Sequence, residues 1–231
     1  MQTELSTKVL DDTCIIVPMY NEEQVIAEVV SELKSTFKSV LCIDDGSTDK
    51  TKIRAVAAGA TVISHCLNIG QGAALATGFK WVQNQNKYSY IVTFDADGQH
   101  CPKDAVFLVH ELVRKNLDVI FGSRFLKGQY SNIPFMKQLI IKTATKITKV
   151  LTDVQLSDTH NGLRALTVDA SRKIDLTQNK MAHATQLVSL VLQSDLKYEE
   201  YPVTVLYTPY SRSKGQSMMN SINIVFDLVW G

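Results

Sequence analysis

Short apolar runs alternate with longer amphipathic segments through the first half of the chain. Between the runs, apolar side chains recur with the 3.6-residue period of a helix, which predicts strands separated by helices. The predicted strands are residues 14–17, 40–43, 61–63, 90–94 and 119–121. The predicted helices are residues 22–37 and 48–58, capped by Asn21 and by Ser47 or Thr48, then residues 71–85 and one that begins at Pro102. Strands that are apolar throughout predict an α/β fold, a three-layer sandwich with a mostly parallel central sheet.

The alternation stops after Gly122. Residues 135–151 and 181–193 have helical periodicity, and residues 198–208 are an extended stretch whose proline favours an edge or antiparallel strand. With no linker or repeat in the sequence, we predict one domain over residues 1–212. Residues 213–231 form an amphipathic C-terminal segment that we interpret as a membrane-surface or partner-docking helix, or as the stub of a longer chain.

The net charge of +1 argues against a nucleic-acid partner, because no overall field would attract phosphate backbones. None of the four cysteines forms a CxxC pair, so we expect buried free thiols in a reducing compartment. The first 12 residues lack the apolar core of a signal peptide, and no apolar run is long enough to span a bilayer. These features predict a cytoplasmic protein.

A local basic stretch lies between Asp118 and Asp153, where no acidic residue occurs. Its cations are Arg124, Lys127, Lys137, Lys142, Lys146 and Lys149. The last three share one side of the predicted helix 135–151, opposite its apolar side. Such a helix can lie on an anionic membrane surface, although an ordinary solvated face over a core would have the same pattern.

Polar clusters follow all five predicted strands. They are residues 18–22, 44–49, 68–72, 95–100 and 122–124. Because ligands of an open parallel sheet bind beyond the carboxyl ends of the strands, we expect these clusters to form one site. The first cluster has no glycine run, which argues against a dinucleotide-binding dehydrogenase.

Three of these clusters suggest specific ligands. Asp95 and Asp97 offer two carboxylates to a hard divalent cation, although an acidic turn can also simply cap the next helix. Asp45 can accept a hydrogen bond from a ribose or a base imide, with a turn and helix cap as the alternative. Asn68 and Gly70 precede a helix whose backbone amides suit phosphate, but the lysine and hydroxyl of a P-loop are missing.

These clusters together resemble the inverting glycosyltransferases of family 2, which have the GT-A fold of nucleotide-diphospho-sugar transferases. The matching segments are Val17-Pro18-Met19-Tyr20-Asn21-Glu22, Ile43-Asp44-Asp45-Gly46-Ser47-Thr48-Asp49, Asp95-Ala96-Asp97-Gly98-Gln99-His100 and Gly122-Ser123-Arg124. Residues 158–164, Asp-Thr-His-Asn-Gly-Leu-Arg, are similar to the Asp-x-x-x-Gly-x-Arg segment of the branch that glycosylates polyprenyl phosphates. The likeness covers most of the chain and weakens after about residue 170.

The resemblance implies a role for each matching residue. The nucleotide-sugar donor would be held by Pro18, Tyr20, Glu22, Ile43, Asp45, Asn68, Gly70, Asp95, Ala96, Gln99, Arg212 and Lys214. Asp95 and Asp97 would bind Mg²⁺ or Mn²⁺, and Arg124 with Lys137 would bind the acceptor phosphate. Asp97, Arg124 and Asp158 are the implied catalytic residues, with Asp158 as a base or an orienting residue. Two departures are Gln71, where dolichyl members often have lysine, and Gln186, where many relatives have glutamate on the acceptor side.

The expected reaction is attack of an acceptor oxygen on the anomeric carbon, with a nucleoside diphosphate leaving. A phosphate monoester is already an anionic nucleophile at neutral pH, so it needs cations rather than a base, and the basic stretch from Arg124 provides them. We therefore predict transfer, from a UDP-sugar by preference, to a polyprenyl phosphate such as undecaprenyl phosphate, for cell-surface polysaccharide modification. The enzyme would lie on the cytoplasmic face of the membrane, with a small membrane-anchoring protein and a homo-oligomer as further hypotheses.

Three alternatives stay open. A transferase of the same fold with a saccharide acceptor would need a base, for which Asp158 is the candidate. A sugar-phosphate nucleotidylyltransferase usually carries a glycine-rich signature after its first strand, which residues 18–22 lack. A non-catalytic nucleotide-sugar-binding module would bind the donor without turnover, and the two aspartates of residues 95–97 argue against it.

Overall fold

The computed structural model describes residues 2–126, 156–179, 182–208 and 210–211. Within these ranges the protein is an α/β sandwich, as the sequence predicts. The strands are β1 (Thr13–Met19), β2 (Ser39–Asp44), β3 (Thr61–Ser64), β4 (Tyr90–Thr93), β5 (Val119–Ser123), β6 (Arg164–Thr167) and β7 (Tyr198–Pro202). The helices are α1 (Gln2–Asp11), α2 (Ile26–Lys34), α3 (Thr51–Ala57), α4 (Gln71–Gln83), α5 (Pro102–Lys115), α6 (Val168–Lys173) and α7 (His183–Gln193). Over the described ranges, no helix has the length and apolar character needed to cross a membrane.

The strands form one sheet in the order β3-β2-β1-β4-β6-β5-β7. The first four strands along the chain are parallel, and β6 runs antiparallel to both of its neighbours, β4 and β5. The extended stretch predicted at residues 198–208 contains β7, which lies at the sheet edge but is parallel to β5. The mostly parallel sheet is therefore confirmed, whereas β6 was not predicted.

Two apolar cores, one on each face of the sheet, make the three layers. Strand β1 contributes to both because its side chains alternate: Ile15 and Val17 belong to the core that includes α2 and α5, and Cys14 and Ile16 to the core that includes α4 and α7. Helix α4 approaches β1 so closely that a Cβ on Gly78 would lie 2.6 Å from Cγ2 of Ile16. Close-packed side chains therefore cover both faces of the sheet, and this packing fixes the strand ends from which the edge loops begin.

The helices predicted at residues 22–37 and 48–58 begin later than expected, and α1 was not predicted. Helix α2 starts at Ile26, and Asn21 adopts a left-handed conformation with φ 54° rather than capping it. Its side-chain Oδ1 instead accepts a hydrogen bond of 2.9 Å from the amide of Thr48. Helix α3 starts at Thr51, so Ser47 and Thr48 do not cap it either. These polar residues connect the loops after β1 and β2, and a partner distant in sequence takes the place of the local cap.

The cysteines are not all buried as predicted. Cys14 and Cys42 are buried in the sheet, Cys101 is half-buried, and Cys66 is exposed in the loop after β3. Burial raises the pKa of both Cys14 and Cys42 to about 12, which keeps these thiols protonated. The prediction failed at Cys66 because it lies beyond β3, where the chain has already left the sheet.

Candidate active site

A cavity of about 350 Å³ opens at the edge of the sheet where the parallel strands end. It is lined by Pro18, Met19, Tyr20, Glu22, Asp45, Asn68, Gly70, Gln71, Ala74, Asp95, Ala96, Asp97, His160, Gly162, Arg164, His183 and Ala184. The polar clusters that follow β1, β2, β3 and β4 thus converge on one space, as the sequence predicts. We call this space the first cavity.

Asp95 is the central acidic group of the first cavity, and its side chain is 30% exposed. Its Oδ1 accepts a hydrogen bond of 3.0 Å from Nε2 of Gln71, and its Oδ2 lies 3.0 Å from Nε2 of His100. Burial by itself would raise the pKa of Asp95, but the hydrogen bond and charge of His100, with the charges of Arg164 and Arg124, hold that pKa below its usual value. Asp95 is therefore an ionised carboxylate in a fixed orientation.

Asp97 behaves in the opposite way. Its Oδ1 accepts a hydrogen bond of 3.1 Å from the amide of Gln99. Burial and the negative charge of Asp95 raise the pKa of Asp97 to about 6. Two neighbouring carboxylates that repel each other in this way are stabilised by a cation between them.

The two aspartates fit a hard divalent cation that takes its remaining ligands from elsewhere. Within residues 2–126, 156–179, 182–208 and 210–211, no group of three or more His, Cys, Asp or Glu side chains could hold a metal on its own. Magnesium commonly binds proteins through one or two carboxylates and completes its shell with water and substrate phosphates. The two carboxylates would suit a cation of this kind.

Asp45 lines the first cavity from the side of β2. Its Oδ1 accepts hydrogen bonds from the amide of Ile69 at 3.0 Å and lies 2.8 Å from Nδ1 of His65, and its Oδ2 accepts from the amide of Gly70 at 2.7 Å. Gly46 lets the two loops approach, since a Cβ there would lie 2.7 Å from the carbonyl carbon of Leu67. Asp45 thus holds the loop after β3 as well as facing the cavity.

A second cavity of about 230 Å³ adjoins the first. It is lined by Glu22, Asp95, Asp97, Gln99, His100, Arg124, His160, Val205, Tyr207 and Ser211. Four residues, Glu22, Asp95, Asp97 and His160, line both cavities. The two spaces therefore meet at the aspartate pair, with Gln99 on the second side rather than the first.

Arg124 is the cation of the second cavity, and only 9% of its side chain is exposed. Its Nε donates to Oδ2 of Asp158 at 2.6 Å, and a terminal nitrogen donates to the hydroxyl of Tyr207 at 3.0 Å. Burial opposes the charged form of Arg124, but Asp158 and Tyr207 outweigh it and raise its pKa, so the guanidinium stays charged. These contacts fix the guanidinium of Arg124 at the wall of the second cavity.

Asp158 lies behind Arg124 and lines neither cavity. Its carboxylate has no exposed surface and accepts hydrogen bonds from both the amide and Nε of Arg124. Glu200 of β7 holds the backbone in place by accepting from the amides of Ser157 and Asp158 at 2.8 and 3.1 Å. Asp158 therefore contacts Arg124 rather than either cavity, and its role as base or orienting residue stays a prediction.

Several cavity residues were given no role by the sequence. His160, Gly162 and Arg164 come from the segment before β6, and His183 comes from the first turn of α7. Because β6 is antiparallel, its beginning rather than its end lies at the edge where the parallel strands finish. The motif of residues 158–164 was the available signal, but the rule of looking after each strand does not reach it.

Half-buried His160 and buried Arg164 are two basic side chains of the first cavity. Burial is the main cause that lowers the pKa of His160 to about 4 and that of Arg164 to about 10. Nε2 of His160 and Nε of Arg164 are buried atoms that have no hydrogen-bond partner among the described residues. Such atoms are costly in a folded protein, and their position beside both aspartates fits a polar ligand in the first cavity.

The other sequence-based assignments have different outcomes. Ile43 lies in β2 with its side chain fully buried in the core, and it lines neither cavity. Gln186 does not line the cavities but accepts hydrogen bonds from the amides of residues 177 and 178. Several predictions fall outside the described residues. They concern Lys137, Arg212, Lys214, the predicted helix 135–151 and segment 213–231.

Residues 14–175 match the family model described as glycosyl transferase family 2. The chain belongs to glycosyl transferase family 2. Its relatives include an uncharacterized protein of Methanocaldococcus jannaschii, 35% identical over 95% of this chain and 91% of its own length. The UDP-N-acetylglucosamine–dolichyl-phosphate N-acetylglucosaminyltransferase of Methanococcus voltae is 28% identical over 93% of this chain and 94% of its own length. The polyprenol monophosphomannose synthase of Mycolicibacterium smegmatis is 29% identical over 92% and 82%.

Solved structures of other proteins share the fold. Glucosyl-3-phosphoglycerate synthase of Mycobacterium tuberculosis, in complex with Mn²⁺, UDP and phosphoglyceric acid, superposes with a TM-score of 0.69 at 16% identity, covering 98% of this chain and 82% of that one. The same enzyme with Mg²⁺ and UDP has a TM-score of 0.67 at 17% identity, covering 98% and 83%. The GT-A fold is confirmed, and membership of family 2 makes the chain a glycosyltransferase.

Proposed function

We propose that this glycosyltransferase moves a sugar, with inversion at the anomeric carbon, from a nucleotide-sugar to a polyprenyl phosphate. A UDP-sugar is the favoured donor and undecaprenyl phosphate the favoured acceptor, for cell-surface polysaccharide modification. The observation that carries the proposal is that two cavities meet at Asp95 and Asp97, and that the second contains the buried cation Arg124. Such an arrangement would allow a diphosphate and a second anion to bind next to each other.

The first cavity suits the donor. Its volume of about 350 Å³ is that of an ordinary ligand site, and Gly70 places the amino end of α4 at its wall, where backbone amides favour phosphate. Asp95 and Asp97 would hold Mg²⁺ or Mn²⁺ against the donor diphosphate. When bound, the cation stabilises the negative charge that develops on the leaving nucleoside diphosphate. Asp95 is already ionised and oriented by Gln71 and His100 for this purpose.

The second cavity suits a phosphate monoester. Arg124 keeps its charge because Asp158 and Tyr207 stabilise it, and the same contacts fix its position. A phosphate monoester is already largely ionised at neutral pH, with a second pKa of about 6, so the nucleophilic oxygen needs no base. Two anions must nevertheless approach each other, and Arg124 offsets that repulsion. The acceptors in the names of the Methanococcus voltae and Mycolicibacterium smegmatis relatives support a lipid phosphate.

The geometry is less favourable for a saccharide acceptor. A sugar hydroxyl needs a general base, and the carboxylate proposed for that role, Asp158, is buried in an ion pair with Arg124. A module that binds the donor without turnover would not need a second cavity for an acceptor. Both alternatives are separate outcomes of the experiment below.

The experiment incubates the protein with Mn²⁺ or Mg²⁺, a panel of nucleotide-sugars, and a short-chain polyprenyl phosphate or an oligosaccharide. We expect a sugar-linked polyprenyl phosphate of inverted anomeric configuration, and no product from Asp97→Asn. Product on the oligosaccharide alone would contradict the lipid acceptor, and donor binding without any product would indicate a binding module. Chelation of the divalent cation should stop the reaction, because no cation would then neutralise the negative charge on the leaving diphosphate.

Membrane association is part of the same proposal. A lipid acceptor requires the protein to reach the cytoplasmic face of a membrane, through segment 213–231, helix 135–151 or a small membrane-anchoring protein. In a flotation experiment with anionic vesicles, we expect residues 1–231 to be found in the vesicle fraction and a variant that ends at residue 212 to be absent from it. Equal flotation of both would remove segment 213–231 from the proposal, and the elution volume of the full chain in detergent tests whether it forms a homo-oligomer.

A further inference from the structure

Asp45 uses most of its hydrogen-bonding capacity inside the protein. An ionised carboxylate has about four acceptor positions, two on each oxygen. His65 and the amide of Ile69 share Oδ1, and the amide of Gly70 takes one position on Oδ2. One acceptor position of Asp45 is therefore left for a ligand of the first cavity.

His65 is locked in the position that blocks Oδ1. Its Nδ1 lies 2.8 Å from Oδ1 of Asp45, and because a carboxylate can only accept, Nδ1 must carry the hydrogen. Its Nε2 lies 2.9 Å from the hydroxyl of Thr77 on α4, so both ring nitrogens have partners. Only 11% of the side chain is exposed, and His65 does not line the first cavity. It therefore acts on a ligand only through Asp45.

The number of free acceptor positions distinguishes nucleobases. Uracil presents a single ring N–H between two carbonyl groups, so one position on Asp45 satisfies it. Guanine presents two adjacent donors, its ring N–H and its amino group, and a carboxylate binds that edge with both oxygens. With Oδ1 occupied, one guanine donor would be buried without a partner, which is unfavourable. Cytosine has no ring N–H to donate at the corresponding position.

We propose that His65 is a specificity-determining residue, which makes the donor site select uracil over guanine by filling Oδ1 of Asp45. This inference rests on the proposed function, because it takes the nucleoside of the donor to lie against Asp45. His65 is a positioning residue in this role and contacts no substrate.

The test measures the affinities of UDP, GDP and 3-methyl-UDP for the full-length protein by calorimetry in the presence of Mn²⁺. We expect the wild type to bind UDP at least about tenfold more tightly than GDP, and likewise more tightly than 3-methyl-UDP, which lacks the ring N–H; one unmatched buried donor costs about that factor. His65→Ala frees an acceptor position, so the ratio of the GDP and UDP dissociation constants should fall to within about threefold of one.

Two matched variants control for indirect effects. In His65→Asn the side-chain amide can still donate to Oδ1 of Asp45, and in Thr77→Val the bond between His65 and Asp45 remains, so both should keep the wild-type preference. Equal binding of UDP and 3-methyl-UDP by the wild type would overturn the inference whether or not His65→Ala folds. So would an unchanged preference in folded His65→Ala. Binding of neither nucleotide would refute the proposed function itself, whereas tight binding of both would refute only the role of His65.

Discussion

Gly162→Ala is the substitution whose effect follows most directly from the geometry. Gly162 lies over the carboxylate of Asp95, and a Cβ built there would come closer than 3.0 Å to Cγ, Oδ1 and Oδ2, a separation that real Cβ atoms essentially never show. The Thr93 hydroxyl also donates to the Gly162 carbonyl at 2.6 Å, which ties this backbone to the sheet. The loop cannot simply lift away, so the side chain of Asp95 must move.

The size of the effect depends on how far Asp95 moves. To restore ordinary contact, the carboxylate and the loop must separate by about 1 Å, and a displacement of that order at a reacting centre costs about 100-fold in rate. The move would also break the hydrogen bonds of Asp95 with Gln71 and His100. We expect kcat/KM to fall by about 100-fold and the affinity for Mn²⁺ to fall with it. Overpacking of this kind costs about 1–3 kcal/mol of stability, or about 2–4 °C in Tm for each kcal/mol.

The assay combines transfer kinetics, Mn²⁺ titration and thermal unfolding. Gly59→Ala is the matched control: Gly59 has φ +94°, so alanine is strained there, but its Cβ would meet only Cε of Lys34 at 3.7 Å, far from the cavities. It should lower Tm to a similar extent and leave kcat/KM within about threefold of the wild type. Wild-type activity and Mn²⁺ affinity in Gly162→Ala would refute the assignment of Asp95, as would an equal loss of activity in Gly59→Ala.

Three further predictions test other parts of the site. The pKa of Asp97 is raised to about 6 in the folded protein against about 3.9 for an unperturbed aspartate, so its ionisation lowers stability as the pH rises from about 4 to about 6 and by a constant amount above that. Asp97→Asn should therefore raise the Tm of the chelator-treated protein at about pH 7.5, and the gain should vanish towards pH 4; a gain that does not depend on pH would contradict this. Asp158→Asn should raise KM for the polyprenyl phosphate by about tenfold and leave the pH profile of kcat unchanged, whereas a general base would cost about 100- to 10,000-fold in kcat. A disulfide reagent at about pH 8 should modify Cys66 first. Cys14 and Cys42 should react only after unfolding, because burial raises the pKa of their thiols to about 12. Cys66→Ser should abolish the first phase, and fast modification of Cys14 would show that the sheet opens.

Local pattern was a good guide to the parallel half of the sheet. Strands β1, β2 and β4 are short runs of mostly buried residues, and β3 is a short run at the sheet edge whose residues are half-buried or exposed. Such short runs can be recognised without knowledge of distant residues. The positions of Asp45, Asp95 and Asp97 follow from the same pattern, because the carboxyl end of a parallel strand always lies at the ligand-binding edge. The predicted helix starts were wrong because Asn21 and Ser47 form a hydrogen bond with each other, although they lie 26 residues apart, and do not cap the helices that follow them.

What could not be predicted depends on contacts between residues far apart in the sequence. Strand β6 is short, and pairing with β4 and β5 on its two sides stabilises it, so its own composition gives little indication of it. Its antiparallel direction brings His160, Gly162 and Arg164 to the aspartate pair. The surroundings of Asp158 likewise depend on Arg124, which lies 34 residues earlier and donates a hydrogen bond to its carboxylate.

The amino-acid sequence by itself therefore determined the fold class, the edge at which ligands bind and the acidic groups that face them, because these follow from hydrophobic periodicity and strand direction. Only the tertiary structure decided how those groups are used. It placed His65 on one oxygen of Asp45, Gly162 over Asp95, and Asp158 behind Arg124. The physical reason is that an acidic side chain in a sequence has the same four acceptor positions wherever it stands, and the folded chain alone determines which of them are left for a ligand.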